Sequence, residues 1–191
     1  MMLAASRQAL PPVRLLCLAI ATTGAAPLAN AAFIEDSSAS LTATNIYLNR
    51  DFRQFEGQNK REEWGQGFRL DLQSGFTEGT VGFGVDAMGL LGLKLDSGRG
   101  RTGTDLLPVH DDDRSADEFS RLGLTAKVKV SATEFRYGSH IPELPVVKAS
   151  DSRLLPQVFE GGLLTSSELE GLTFTGGRLD KVIDRASTDE E

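Results

Sequence analysis

Cysteine is nearly absent: the 191 residues contain one, Cys17, and it lies in the opening segment. Once that segment is set aside no thiol remains, which excludes a disulfide framework, a thiolate metal site and a cysteine nucleophile. Long apolar runs are also missing. Beyond the first thirty residues no stretch approaches the ~18 uninterrupted apolar residues that a transmembrane helix needs. There is no basic stripe with interleaved aromatics, and the net charge is −7, so nucleic acid is excluded as a partner. Neither GxSxG nor HExxH occurs. Gly82-Phe83-Gly84 lacks the following helix of a dinucleotide fingerprint and reads as strand. His110 and His140 fall in expected loops, and no spacing assembles a Ser-His-Asp set around them. Asp111-Asp112-Asp113 offers oxygen ligands, but without EF-hand spacing, so a solvated loop tip is the better reading. The sequence therefore reads as a non-enzyme with no cofactor and no metal.

The opening segment has the layout of a processing signal. Arg7 and Arg14 form a positive start, Leu15 to Ala26 is a short apolar run, and Ala29-Asn30-Ala31 supplies small residues before a cut at Ala32. Residues 1–31 are expected to be a secretory signal peptide, leaving 32–191 as the exported part. Its removal takes away two positive charges and no acids, so −7 becomes −9. Leu15 and Leu16 before Cys17 argue against a lipoprotein signal, which needs small residues there. An exported chain without disulfides must take its rigidity from elsewhere, and closed β-sheet is one source.

What the exported part does have is alternation with period two. Trp64, Gln66, Phe68, Leu70 and Leu72 oppose Gly65, Gly67, Arg69, Asp71 and Gln73. Val81, Phe83, Val85, Ala87, Leu91, Leu93 and Leu95 oppose Gly82, Gly84, Asp86, Lys94 and Asp96. Leu122, Leu124, Ala126, Val128 and Val130 oppose Arg121, Gly123, Thr125, Lys127 and Lys129, and Phe135 and Tyr137 oppose Glu134, Arg136 and Gly138. With strands near Leu41 to Asp51, Phe159 to Ser167 and Leu172 to Leu179, about seven strands are expected. Two show flaws. Ile46 and Leu48 share parity with Thr42, Thr44 and Arg50, and Arg178 shares parity with Leu172 and Phe174, so a bulge is expected at Gly176-Gly177.

Alternation alone leaves two architectures open. In a secreted soluble β-sheet ligand-binding protein the apolar faces pack a core. In an all-β transmembrane antiparallel barrel they meet lipid and the polar faces line a lumen. Connection lengths favour the barrel. Ser74 to Gly79, Ser131 to Thr133 and Ser167 to Gly171 are short; Arg53 to Glu63, Ser97 to Glu118 and Ser139 to Val158 are long, and the two kinds alternate strictly. Short periplasmic turns and long extracellular loops produce that pattern. Bacterial barrels have even strand counts from about eight upward, so seven strands and a charged tail from Asp184 to Glu191 point to the N-terminal part of a larger barrel.

Several stretches carry a family resemblance: Phe33-Ile34-Glu35-Asp36-Ser37-Ser38, Asn49-Arg50-Asp51, Gly79 to Ala87, Leu91-Gly92-Leu93-Lys94-Leu95-Asp96 and Ser152-Arg153-Leu154-Leu155-Pro156-Gln157. In this order, from Ala32 to about Lys181, the chain resembles the OprD-like porins, substrate-specific outer-membrane channels. The resemblance implies a monomeric barrel of about 18 strands, this chain supplying roughly the first third. It also implies a third external loop folded inward, and a ladder of basic side chains guiding small carboxylate-bearing solutes. The ladder maps onto Arg50, Arg61 and, in the constriction, Arg153, with Arg136 added from the lumen face of its strand. Thr44 departs from the pattern, since some relatives carry arginine there. The loop Ile141 to Val147 with Asp151-Ser152-Arg153 looks closer to the branch taking aromatic and other monocarboxylates than to the branch taking basic amino acids.

By parity Arg69, Lys94, Arg121, Lys127, Lys129 and Arg136 face the lumen together with Asp71, Asp86 and Glu134. Such charges pair across strands more often than they select a solute. Arg153 differs: a loop rich in proline (Pro142, Pro145, Pro156) and apolar residues should pack against a wall and hold Asp151, Ser152 and Arg153 in place. The expected partners are small anionic solutes and outer-membrane lipid.

Overall fold

The computed structural model describes residues 33–52 and 57–187, so the expected signal peptide lies outside the described residues. Seven strands follow in chain order: β1 (Ser38–Asp51), β2 (Lys60–Gln73), β3 (Val81–Asp96), β4 (Glu118–Val130), β5 (Thr133–His140), β6 (Val158–Leu169) and β7 (Leu172–Ile183). Each pairs antiparallel with the next in one sheet. The connections at one rim are short. Ser131-Ala132 and Glu170-Gly171 close two-residue hairpins, with Ser131 at φ 54° and Gly171 at φ 75°. Left-handed backbone in so short a loop matches the twist of the flanking strands. The third short link, 74–80, is pinned to β3 by Ser74 N–H to Val85 O at 3.2 Å and Thr77 N–H to Phe83 O at 2.9 Å. Connections 52–59, 97–117 and 141–157 lie at the opposite rim.

Directly paired residues share a face, so the register assigns every side chain. Leu41 with Leu70, Phe68 with Leu91, and Phe83 with Val128 stand on the outer face. That face is open: Leu122 is 78% and Phe174 69% exposed. The inner face is covered by its own loops. Leu106 and Leu107 of the 97–117 loop and Leu154 and Leu155 of the 141–157 loop form one cluster with Leu90, Phe119, Val158 and Ile183, flanked by Ile46, Leu48 and Met88. Leu106, Leu107 and Leu155 are at most 1% exposed, and each such burial contributes about 1.5–3 kcal/mol. Glycines make the room. A Cβ at Gly67 would collide with the Leu154 carbonyl, and one at Gly65 with the Leu154 side chain. The 141–157 loop is thus folded inward, as expected, and the 97–117 loop is folded inward with it.

Three readings need correction. The strands run past their apolar stretches: β2 starts at Lys60 instead of Trp64, β4 at Glu118, β5 includes His140, and β7 reaches Ile183. Backbone pairing continues where the side chains no longer alternate cleanly. The expected bulge at Gly176-Gly177 is absent, since both pair in register with Leu164 and Leu163. The register shifts instead between Ser166 and Leu169, next to the turn, and where Gly161 pairs Leu179 and Glu160 pairs Lys181, leaving Asp180 as an extra residue. Arg178 therefore stays on the outer face, 87% exposed and paired with Asp180 at 2.5 Å. Finally, the parity of Ile46 and Leu48 is no flaw: both turn inward to meet the loop core.

Candidate functional site

Two strand ends place arginines face to face. Arg50 of β1 is the direct partner of Arg61 of β2 on the inner face, at the rim of the long connections. Like charges in that position repel, so both remain side by side only if something else holds them. Arg61 is held: its Nη1 donates to the Gly103 carbonyl at 2.9 Å, its Nε to Gln58 Oε1 at 3.4 Å, and its guanidinium lies 5.5 Å from the centre of the Phe52 ring. Arg50 is exposed.

Two positions further into β2 sits Glu63, fully buried. Its carboxylate accepts hydrogen bonds from the backbone N–H of Thr104, at 2.9 Å, and from the hydroxyls of Thr104 and Ser115. A buried charge is tolerable only when its oxygens are bonded in this way. Glu63 consequently clamps the 97–117 loop to the wall. Lys94 adds a second tie, with Nζ to the Ser115 carbonyl at 2.9 Å and to Asp117 at 2.5 Å. That ammonium holds the Asp117 carboxyl below the usual carboxylate range.

Arg153 lies on the 141–157 loop, which packs against the clamped one through the leucine cluster. Its Nε donates to the Thr104 carbonyl at 3.3 Å and its Nη1 to the Ser152 carbonyl at 2.9 Å, while Asp105 stands 4.0 Å away. The structure therefore brings Ser152 and Arg153 together with Thr104. Asp151 is exposed and lines a concavity on the inner face with Arg69, Asp71, Asp86, Arg136 and Lys148. Glu143 pairs with Lys148 at 3.0 Å and holds its ammonium above the ordinary range.

Three cations of the wall are matched by acids, while Arg121 bonds the Ile183 and Arg185 carbonyls and Lys129 lies over the Phe76 ring. Lys127 meets Asp86 at 2.6 Å, Arg69 meets Asp71 at 2.8 Å, and Arg136 contacts Glu134 and lies 3.7 Å from Asp86. Arg136 is thus neutralised locally, unlike Arg50. Asp111, Asp112 and Asp113 are exposed at a turn, where Arg114 lies 3.7 Å from Asp112. His140 is buried and bonds the Gly161 carbonyl at 3.1 Å, which makes it part of the strand packing.

Sequence reasoning missed Glu63, Leu106, Leu107 and Arg185. The adjacent leucines in an otherwise polar loop were a usable signal that the loop packs. Glu63 gave none, because a carboxylate at a strand end reads as solvated. Nor did Arg185, which stood in what looked like a charged tail, yet its Nη1 donates to Ser152 Oγ at 2.8 Å. Chemically the assembly offers fixed cations, hydroxyls and acids along a concave wall, with an apolar exterior.

A family model described as outer membrane porin, OprD family, matches residues 31–191. Porin-like protein GalP of Pseudomonas putida is 51% identical over 146 residues, covering 76% of this chain and 36% of that protein. The crystal structure of Pseudomonas aeruginosa OccK9 (OpdG) matches with TM-score 0.80 and 52% identity, over 83% of this chain and 41% of that one. That of Pseudomonas aeruginosa OpdK with vanillate matches with TM-score 0.74 and 45% identity, over 83% and 39%. The chain thus spans about a third of the length of the curated relative and about two fifths of the solved ones. With the fold, the alternating connections and the match over residues 31–191 in agreement, the chain belongs to the OprD family of outer-membrane porins.

Proposed function

We propose that this chain is the N-terminal wall of a closed, monomeric barrel through which small monocarboxylates, aromatic ones included, diffuse passively, with Arg153 in the constriction. Residues 32–191 form that wall after removal of a signal peptide at 1–31. Seven strands occupying 41% of the length of a solved relative scale to about 17 strands, close to the ~18 of the larger porins. The observation that carries the reading is the pair of loops folded onto the inner face, which narrows the lumen and presents Arg153 on a rigid support. Arg50 and Arg61 extend the positive charge toward the rim. In a narrow, low-dielectric passage such charges concentrate anions, and arginine suits carboxylates because its planar fork grips both oxygens and does not deprotonate. A relative crystallised with vanillate carries a carboxylate ligand of this class.

The test is electrical. The full-length barrel carrying this sequence is reconstituted in a planar bilayer, and Arg153→Ala is compared with wild type. A charge-assisted contact is worth about 1.5–3 kcal/mol, so the variant should lose anion preference and bind benzoate roughly tenfold more weakly or worse. Unchanged selectivity together with unchanged benzoate block removes Arg153 from the site.

A further inference from the structure

We propose that the outer face at the short-turn rim carries a binding site for an amine-headgroup phospholipid of the periplasmic leaflet, with the ammonium on Glu168 and an acyl chain in the trough between β6 and β7. The site is independent of the solute that the lumen passes, because it lies on the opposite face of the sheet.

Ser166 pairs with Phe174 and Leu164 with Gly176, so these four positions stand together on the outer face. With Leu169 and Leu172, which pair beside the turn, they bound a concavity of about 710 Å³, within the roughly 300–1,000 Å³ of ligand pockets. Gly176 leaves its floor open, since a Cβ built there would meet nothing within 4 Å. The walls are apolar, and Leu164, Leu169, Leu172 and Phe174 are all exposed. On a soluble domain such a patch would call for a protein partner. On the outer face of a membrane barrel the neighbour is an acyl chain.

At the rim end of the trough stands Glu168, exposed and part of its lining. Its Oε1 accepts from the Ala132 backbone N–H at 2.9 Å and from Thr133 Oγ1 at 3.0 Å, and its Oε2 accepts from Ser131 Oγ at 3.0 Å. Ser167 N–H donates to the Ala132 carbonyl at 3.0 Å, which ties the two neighbouring turns together and fixes the carboxylate in place. A carboxylate has about four lone-pair sites, so one is left open, on Oε2. All three donors are neutral, and Glu168 pairs with no cation among the described residues. Glu170 adds a second exposed acid at the same turn. The arginine of β7, Arg178, is already taken by Asp180 at 2.5 Å.

The rim thus offers a fixed, uncompensated negative charge with a free acceptor, at one end of an apolar trough. A phospholipid ending in a primary ammonium has the matching order: positive N–H donors at the water boundary, then chains running toward the membrane centre. The lengths agree. Leu164 and Gly176 lie four residues beyond Glu168 and Leu172, about 13 Å at ~3.3 Å per residue, within the ~15 Å half-thickness of the hydrocarbon core. A quaternary ammonium brings the charge without N–H groups and cannot fill the open site on Oε2. A headgroup of net negative charge is repelled by Glu168 and Glu170.

The experiment titrates the full-length barrel carrying this sequence with phosphatidylethanolamine, phosphatidylcholine and phosphatidylglycerol of identical chains. Native mass spectrometry reads the affinity for the first lipid retained. Phosphatidylethanolamine should bind about fivefold tighter than phosphatidylcholine, the upper end for an ion pair at the water boundary, and phosphatidylglycerol weakest. Glu168→Gln keeps an acceptor oxygen for the turn but loses the charge, and should bring phosphatidylethanolamine down to the level of phosphatidylcholine. Gly176→Leu fills the trough and should weaken both alike. Wild type binding these two lipids equally, or Glu168→Gln keeping the preference, overturns the headgroup assignment. Phosphatidylglycerol binding as tightly as phosphatidylethanolamine does the same, because the charge of Glu168 would then select nothing. Gly176→Leu binding like wild type overturns the acyl-chain trough. The wild-type comparison needs no variant, so it decides even where Glu168→Gln fails to assemble.

Discussion

Glu63 is fully buried, bonded to three donors of the 97–117 loop and to no cation among the described residues. Its effect reaches Arg153 through Thr104, whose N–H it accepts and whose carbonyl takes the Arg153 Nε. Glu63→Ala leaves the Thr104 amide with no acceptor, because a backbone N–H cannot rotate to find another, as the two hydroxyls can. Loss of charge-assisted bonds of about 1.5–3 kcal/mol each should loosen the loop by about 3 kcal/mol or more. Amide hydrogen exchange at Thr104 is then expected to rise on the order of a hundredfold, with little change in the strands. Glu63→Gln, which keeps an acceptor oxygen, should fall between the two. Exchange at Thr104 that ignores Glu63→Ala would show that the leucine cluster alone seats the loop.

At the scale of the strand, the face assignment makes the sharpest demand. Leu70 pairs with Leu41 and Gly89 on the outer face, two residues from Phe68 and Leu72. Arginine on a lipid face near the midplane costs about 2–4 kcal/mol, so Leu70→Arg should reduce assembly of the full barrel into bilayers. Arginine already stands at the next position, Arg69, where the inner face gives it Asp71. Folded yield equal to wild type would mean that the faces are inverted. These outer positions were legible in the sequence because lipid asks the same thing of every one of them, and strict alternation records it. The inner face was legible only where it is polar. Ile46, Leu48, Met88, Leu90 and Phe119 broke the alternation, because the partners they pack against arrive from loops about ten to a hundred residues away. Period two reports which side a residue takes, and says nothing of what folds onto that side. Arg50 and Arg61 came from the family resemblance; Arg61 stood in an expected loop, and the structure places it in β2. Arg185 could not be found, since the contact that fixes it is to Ser152 of a different segment.

For the molecule as a whole, the sheet has two unpaired edges, β1 and β7, and an open apolar outer face. No helix among the described residues is long and apolar enough to cross a membrane. Strands of 12 to 16 residues, apart from the eight-residue β5, exceed the roughly 9–11 that a tilted strand needs to cross, so their ends stand clear of the hydrocarbon. Those ends are unlike. At one rim lie links of two residues, Ser131-Ala132 and Glu170-Gly171, and at the other lie loops that fill the lumen and still expose Asp111 to Asp113. Outer-membrane barrels keep short turns in the periplasm and longer loops outside, so the long-loop rim is expected at the cell surface. Epitope tags test the direction. A tag at Asp112 should be reached by antibody on intact cells expressing the full-length barrel, and a tag at Glu78 only after the outer membrane is opened. Both positions are exposed and neither touches the inner cluster, so folding should tolerate either insertion. The reverse labelling would place the long loops in the periplasm, and the cations proposed above, Arg50, Arg61 and Arg153, would then face the periplasm.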